Sequence, residues 1–449
     1  MKHLLLAVSV IFITLAIAGA AVAAGPRESV IYSFQGGNDG SYPYGGLVAG
    51  RGGALYGTTS QGGGGSCSGG CGTVFHLAPQ STVGGPWVET VLYTFTGGSD
   101  GATPWASLIV DGAGNLYGST LFGGGTCRGG CGVVFKLAPP ETAGGSWTES
   151  VLYAFKGVRA GDGNGPEGAL VFDQNGNLFG TTYAGGTACS DSGPTGCGTF
   201  FQLSPPAATG GTWTESVIYR FDPSFYGGPS AGLIVDSKGN LYGTAVNDGP
   251  GGEGTAYKLA QTSAGWKRKV LHAFGGNADG GYPWAGLTAG KGSALYGATA
   301  GYGGEVGDGG TAFKLTPPAS SGGAWTENIL YVFPGENGYT RGPFGSLLAN
   351  PAGILFGMTP SGGNGSCVVG GWLGCGTVFQ LTPPTTTGGT WTHTTLHSFA
   401  GGADDGSIPY GSLIFGPGHA LYGTTYGGGS GTCSQPSPSG CGTVFVIMP

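Results

Sequence analysis

Charge is scarce in this chain. Only 9% of its 449 residues are Asp, Glu, Lys or Arg, and the net charge is −7. No basic stripe runs along it, which excludes a nucleic-acid surface. No Gly-x-Ser-x-Gly elbow, phosphate loop or metalloprotease motif survives inspection. Histidines number six and form no ligand-spaced group. His393 and His397 stand about 13 Å apart along one strand, too far to share a ligand. His272 and His397 take a tyrosine's place and read as packing residues. No apolar run long enough to cross a membrane follows residue 24, and no helical period appears. Glycine is what the chain has in excess, 102 residues, beside 28 prolines. Without a period such a share would mean disorder. Here the glycines fall at fixed places between aromatic and β-branched runs, as turns between strands do.

Residues 1–24 read as a secretory signal: Lys2 and His3, an apolar run from Leu4 to Ile17, then the small-residue cleavage site Ala21-Val22-Ala23. The mature protein, 25–449, is therefore expected to be secreted or held at the cell surface. The ten cysteines agree, falling into five local pairs: Cys67/Cys71, Cys127/Cys131, Cys189/Cys197, Cys367/Cys375 and Cys433/Cys441. An even count, local pairing and export favour disulfides. Zinc is the alternative, but a closed site needs four ligands and each loop offers two.

Leu-Tyr-Gly or a close variant recurs at Leu55, Leu116, Leu178, Leu241, Leu295, Leu355 and Leu421. Variants of Val-Leu-Tyr-x-Phe precede each copy and variants of Gly-Thr-Val-Phe-x-Leu follow it. One supersecondary unit is being repeated, with repeats starting near 28, 89, 149, 215, 268, 327 and 393. Each unit reads as four short antiparallel strands. In the unit around Leu241 these are 231–235, 241–244, 255–259 and 269–274. Strict alternation puts Val270, His272 and Phe274 on one face, Leu271 and Ala273 on the other. A sheet apolar on both faces must be sandwiched, so the expected fold is all-β: a single seven-bladed β-propeller. Small residues suit its crowded innermost strand, and each repeat has them, from Gly45-Gly46-Leu47 to Gly411-Ser412-Leu413. The segment from Glu28 to Phe34 resembles a fourth strand, and the chain ends on a third, so the N-terminal strand should close the last blade. A seven-unit solenoid is the alternative, and it would need caps.

Glu-Ser-Val-Leu-Tyr-x-Phe, Gly-Asn-Leu-Tyr-Gly-Thr-Thr, Gly-Gly-x-x-Gly-x-Gly-Thr-Val-Phe and Lys-Leu-x-Pro-Pro together resemble the GloVer tandem repeat of exported bacterial proteins. The resemblance covers essentially all of the mature chain. It implies secretion or surface exposure and no established enzymatic activity, so no catalytic residue is transferred. A weaker likeness is to propellers with an Asp-x-x-Gly-Asn turn, seen from Asp111, Asp173 and Asp236; a turn role is favoured over a metal role. Sialidase-like propellers carry an Asp box where this chain has Thr142, Ala208, Ser321 and Thr386. That enzyme reading is rejected.

The loops joining fourth to first strands should share one face with those joining second to third strands. There an aspartate, at Asp39, Asp100, Asp162, Asp279 or Asp405, leads to a proline and often an aromatic: Tyr44, Trp105, Trp284, Phe344 and Tyr410. If the aromatics reach the axis they ring the channel mouth, and with the aspartates they would suit a glycan. Otherwise the aromatics pack between blades and the aspartates pin turns. Two blades without cysteines carry Asp248, Glu253, Glu305 and Asp308, with Asp222 near in sequence. Calcium is the ion such a set would take; no other cofactor is expected. Recurring Glu28, Glu89, Glu149, Glu215 and Glu327 sit on different blades and do not read as a glycosidase dyad. The expected function is a non-enzymatic, monomeric binding or structural module for a glycan, surface polymer or protein. The alternative is an extracellular enzyme acting on polysaccharide.

Overall fold

The structure is a computed structural model. It describes residues 26–449, apart from 80–86, 126, 143, 188–195, 209, 222–227, 302–307, 321, 336–341, 370, 387, 434–438 and 449. The expected signal segment thus lies outside the described residues. No described helix is long and apolar enough to cross a membrane.

Seven four-stranded antiparallel sheets follow one another around an axis. Blade 1 comprises Val48–Ala49, Leu55–Thr59, Thr73–Pro79 and Trp87–Thr94. Blades 2 to 6 repeat this order, and blade 7 contains Ile414–Phe415, Leu421–Thr425 and Thr443–Met448. Its fourth strand is Arg27–Ser33, paired antiparallel with Thr443–Met448. The ring is closed by its N-terminal strand, as expected.

The two commonest motifs explain each other. The glycine of Leu-Tyr-Gly faces the phenylalanine of Gly-Thr-Val-Phe across the ladder, as Gly57 faces Phe75. A Cβ on Gly57 would stand 2.4 Å from the Phe75 ring, so only glycine fits. Phe75 in turn meets Phe34 of the preceding blade edge-on, centroids 5.0 Å apart. Phe95–Phe135, Phe155–Phe201, Phe274–Phe313, Phe333–Phe379 and Phe399–Phe445 repeat the contact at 5.0–5.2 Å. These interblade aromatic pairs form much of the core, beyond what area burial alone supplies.

Strict alternation in the fourth strands fails. Every fourth strand bulges at the central residue of Val-Leu-Tyr: Ile31, Leu92, Leu152, Ile218, Leu271, Leu330 or Leu396. The extra residue shifts the faces. Val270 is therefore 41% exposed while Leu271 is buried, and Phe274 still reaches the core.

Near the axis the small residues are required. A Cβ on Gly345 would lie 2.1 Å from the Gly411 carbonyl, and one on Gly46 2.7 Å from that of Ser412. Second-strand hydroxyls bond the next blade's inner backbone: Thr181 to Ala231 O at 3.1 Å, Thr244 to Ala285 O at 2.9 Å and Thr424 to Gly45 O at 2.9 Å.

Candidate functional site

The fourth-to-first and second-to-third loops do share one face: Ser41 bridges Gln61, and Ala102 bridges Phe122. Four disulfides pin that face: Cys67–Cys71, Cys127–Cys131, Cys367–Cys375 and Cys433–Cys441. The fifth bridge expected from the sequence is not among these four, because only one of its cysteines is described. Cys197 is buried against Phe200 and Phe221 and is disulfide-bonded. Cys189, the partner that spacing assigns to Cys197, lies outside the described residues. Cys197 is therefore a core residue of its blade interface as well as a bridge cysteine, a role its spacing did not announce.

Each bridged loop supports the next blade. The backbone N–H of Tyr42 donates to Cys441 O, that of Thr103 to Cys71 O and that of Ile408 to Cys375 O, each at 2.8 Å. These residues precede prolines and hold left-handed backbone at φ 58–60°. Non-glycine residues rarely adopt it, and here the interblade bonds hold it in place.

In every blade the residue after this proline lines the axis. In blade order those residues are Tyr44, Trp105, Glu167, Ser230, Trp284, Phe344 and Tyr410, and all seven line one axial cavity of about 200 Å³. The five aromatics tile its rim. Tyr44 stacks on Trp105 at 4.5 Å and on Tyr410 at 4.7 Å, and Trp284 stacks on Phe344 at 5.7 Å. The tiling is interrupted where Glu167 and Ser230 replace aromatics. Among the described residues no ring covers the other face of Trp105 or of Trp284, so two indoles flank that gap. Among the described residues Glu167 is the one acidic member of the lining. Burial pushes its carboxyl up to about 7, with Ser230 partly opposing. Sequence reasoning missed Glu167; the signal was Pro166-Glu167 standing where other repeats have proline and an aromatic.

The aspartates do not join the aromatics. Asp39 accepts from Tyr32 Oη at 2.5 Å and Gln35 N at 2.6 Å. Asp100 accepts from Tyr93 Oη, Thr96 N and Thr96 Oγ1. Asp279 and Asp405 accept from Gly275 N and Ala400 N and lie beside His272 and His397. Each thus pins its loop to the preceding fourth strand. Asp111, Asp173 and Asp236 likewise hold their turns, each bonding the asparagine four residues on.

Of the expected calcium set, Asp248 and Glu253 are the members whose side chains are described. Asp248 is buried and pairs with Arg268, whose guanidinium lies 5.1 Å from the Tyr257 ring centroid, and Thr255 also donates to Asp248. A carboxylate neutralised in this way is spent. Glu253 sits against Gly281. Glu305, Asp222 and the Asp308 side chain lie outside the described residues. The groups that do come together are ones the sequence reading kept apart: His272, Asp279 and Glu327, and likewise Glu28, His397 and Asp405.

Fold and site together define a seven-bladed β-propeller with an aromatic-rimmed axial mouth. A family model for the Gloeobacter/Verrucomicrobia repeat matches residues 19–193 and 187–435, and the chain belongs to that repeat family. No curated protein matches it. Solved structures resemble it remotely. A protein of unknown function from Dyadobacter fermentans is 12% identical, over 94% of this chain and 99% of that one, with a TM-score of 0.41. Trypanosoma rangeli sialidase, in complex with sialic acid, is 10% identical over 95% and 59%, TM-score 0.39. A putative oxidoreductase (glucose dehydrogenase) from Thermus thermophilus is 16% identical over 77% and 96%, TM-score 0.41. At these scores none of them bears on function.

Proposed function

We propose that the protein is an exported binding module that takes a carbohydrate unit at the axial mouth, between Trp105 and Trp284. The observation that carries this is the interrupted aromatic ring, with one carboxyl group set in the gap. An indole face packs against the C–H face of a sugar, while Glu167 and glycine backbone are placed for its hydroxyls. The cavity of about 200 Å³ is smaller than the ~300–1,000 Å³ of sites for drug-sized ligands. One sugar ring or a chain end is the ligand it suits. A binding role is favoured over catalysis because one acidic residue lines the cavity among the described residues, whereas hydrolysis of a glycosidic bond uses two.

A glycan array probed with the folded protein tests this. Selective retention of glycans is expected, weakened at least tenfold by Trp105→Ala and by Trp284→Ala with unchanged thermal unfolding. Absence of any retained glycan, or retention indifferent to both substitutions, would overturn it.

A further inference from the structure

At the outer edge of the blade interfaces one polar cluster recurs. A fourth-strand residue meets the aspartate of the following loop and a glutamate from the next blade. In three interfaces the first member is tyrosine, giving Tyr32/Asp39/Glu89, Tyr93/Asp100/Glu149 and Tyr153/Asp162/Glu215. In two it is histidine, giving His272/Asp279/Glu327 and His397/Asp405/Glu28.

The change alters the chemistry. Phenol at neutral pH is a hydroxyl donor, whereas neutral imidazole offers a lone pair to a metal. In the first histidine cluster Nε2 lies 3.1 Å from Asp279 Oδ1 and 3.7 Å from Glu327 Oε2. In the second the distances are 3.3 Å to Asp405 Oδ2 and 4.0 Å to Glu28 Oε2. Within each cluster all three ligand atoms lie within 4.8 Å of one another. A tetrahedral ion with bonds of about 2.0–2.1 Å holds its ligand atoms about 3.3 Å apart, so small side-chain rotations suffice.

A second observation concerns the two glutamates. The side chains of Glu28 and Glu327 are only 10% and 11% exposed. Each Oε1 is buried without a hydrogen-bond partner, as are those of Glu89, Glu149 and Glu215 in the tyrosine clusters; the imidazole is what the histidine clusters add. Two carboxylates crowded at such a site need a proton or a cation between them. The aspartates keep an entry path, with 31% of the Asp279 and 16% of the Asp405 side chain exposed.

We propose that each of the two clusters, His272/Asp279/Glu327 and Glu28/His397/Asp405, binds one zinc-class divalent ion through one imidazole and two carboxylates, with water completing the shell. An imidazole ligand favours such an ion over calcium or magnesium. Both sites bridge neighbouring blades. The second ties the closing N-terminal strand, through Glu28, to the sixth blade and its following loop. Metal there acts as a clasp on the ring.

The test uses the full mature chain without a histidine tag, stripped by chelator and dialysed against zinc. Two bound ions per chain are expected by elemental analysis, one each in His272→Tyr and His397→Tyr, and none in the double variant. Tyrosine occupies this place in other blades, so these variants should fold; Glu327→Gln and Glu28→Gln give a second pair that keeps the shape. Zinc should raise the unfolding midpoint of the parent and not that of the double variant. A parent that retains no zinc, or a double variant that retains both ions, overturns the proposal. A parent with one ion overturns it for the site whose tyrosine variant leaves that count unchanged.

Discussion

Thr424 Oγ1 donates to the Gly45 carbonyl at 2.9 Å, across 379 residues of chain. That bond joins the last blade to the first by the contact that internal blades use. Around it Phe34, Leu47, Phe75, Tyr422 and Val444 form one buried cluster. Closure of the ring is thus as well packed as any interior interface.

Phe34 is fully buried, and Phe34→Ala should cost about 3–5 kcal/mol by the usual penalty for emptying a packed aromatic site. Phe95→Ala, its counterpart one interface on, should cost a similar amount. Urea titration measures both. A cost within about 0.5 kcal/mol, that of a surface change, would show that the N-terminal strand does not bear on the ring.

The Arg268–Asp248 pair is expected to be structural. The two side chains are 11% and 6% exposed. Removing one partner strands a buried charge, so Asp248→Ala should destabilise by roughly 3–5 kcal/mol. Converting both residues together should cost less than the sum of the single changes, since neither charge is then left alone. Additive costs in a double-mutant cycle would show that the pair does not interact.

Stability should fall as pH rises toward the mildly alkaline range. Burial first, and neighbouring aspartates second, push Glu89 up to about 8 and Glu149 and Glu215 up to about 7, from an ordinary 4.5. Between 4.5 and those values the folded state binds more protons than the unfolded one, so each pH increment favours unfolding. The stabilisation is complete below 4.5 and is lost as pH passes through 7 to 8. Replacing all three by glutamine should flatten the slope of unfolding midpoint against pH. A parent midpoint that climbs between pH 5 and 8 would contradict this.

Each disulfide should support the loop of the following turn. A Cβ on Gly97 would meet Cys71 Sγ at 2.6 Å, and Gly97 holds φ +83°. Gly97→Ala should therefore destabilise by more than the ~1 kcal/mol of an ordinary glycine change. Mass spectrometry without reduction should find Cys67 joined to Cys71; a free thiol there, or a neutral Gly97→Ala, would refute the arrangement.

Much of this was legible in the sequence because a repeat reports itself seven times. Gly57 and Phe75 recur together, so strands, blade count and small axial residues follow from spacing alone. Leu271 departs from the alternating pattern, because a bulge leaves no signature in it. Spacing marks Cys197 as half of a local pair, but its burial against Phe200 and Phe221 depends on where the loop lands. The aspartates keep other company than their spacing suggests. Asp279 reaches His272 seven residues back and Glu327 on the neighbouring blade, a contact no local spacing encodes.

The sequence by itself determined the unit: four strands, turns of glycine, and faces apolar on both sides that oblige the units to stack. Only the tertiary structure decided which residues of different units meet. Local motifs fix hydrogen bonding within a blade. The axial mouth of Trp105, Glu167 and Trp284 and the clusters of His272 and His397 arise where blades are brought together by closure, whose geometry depends on all seven at once.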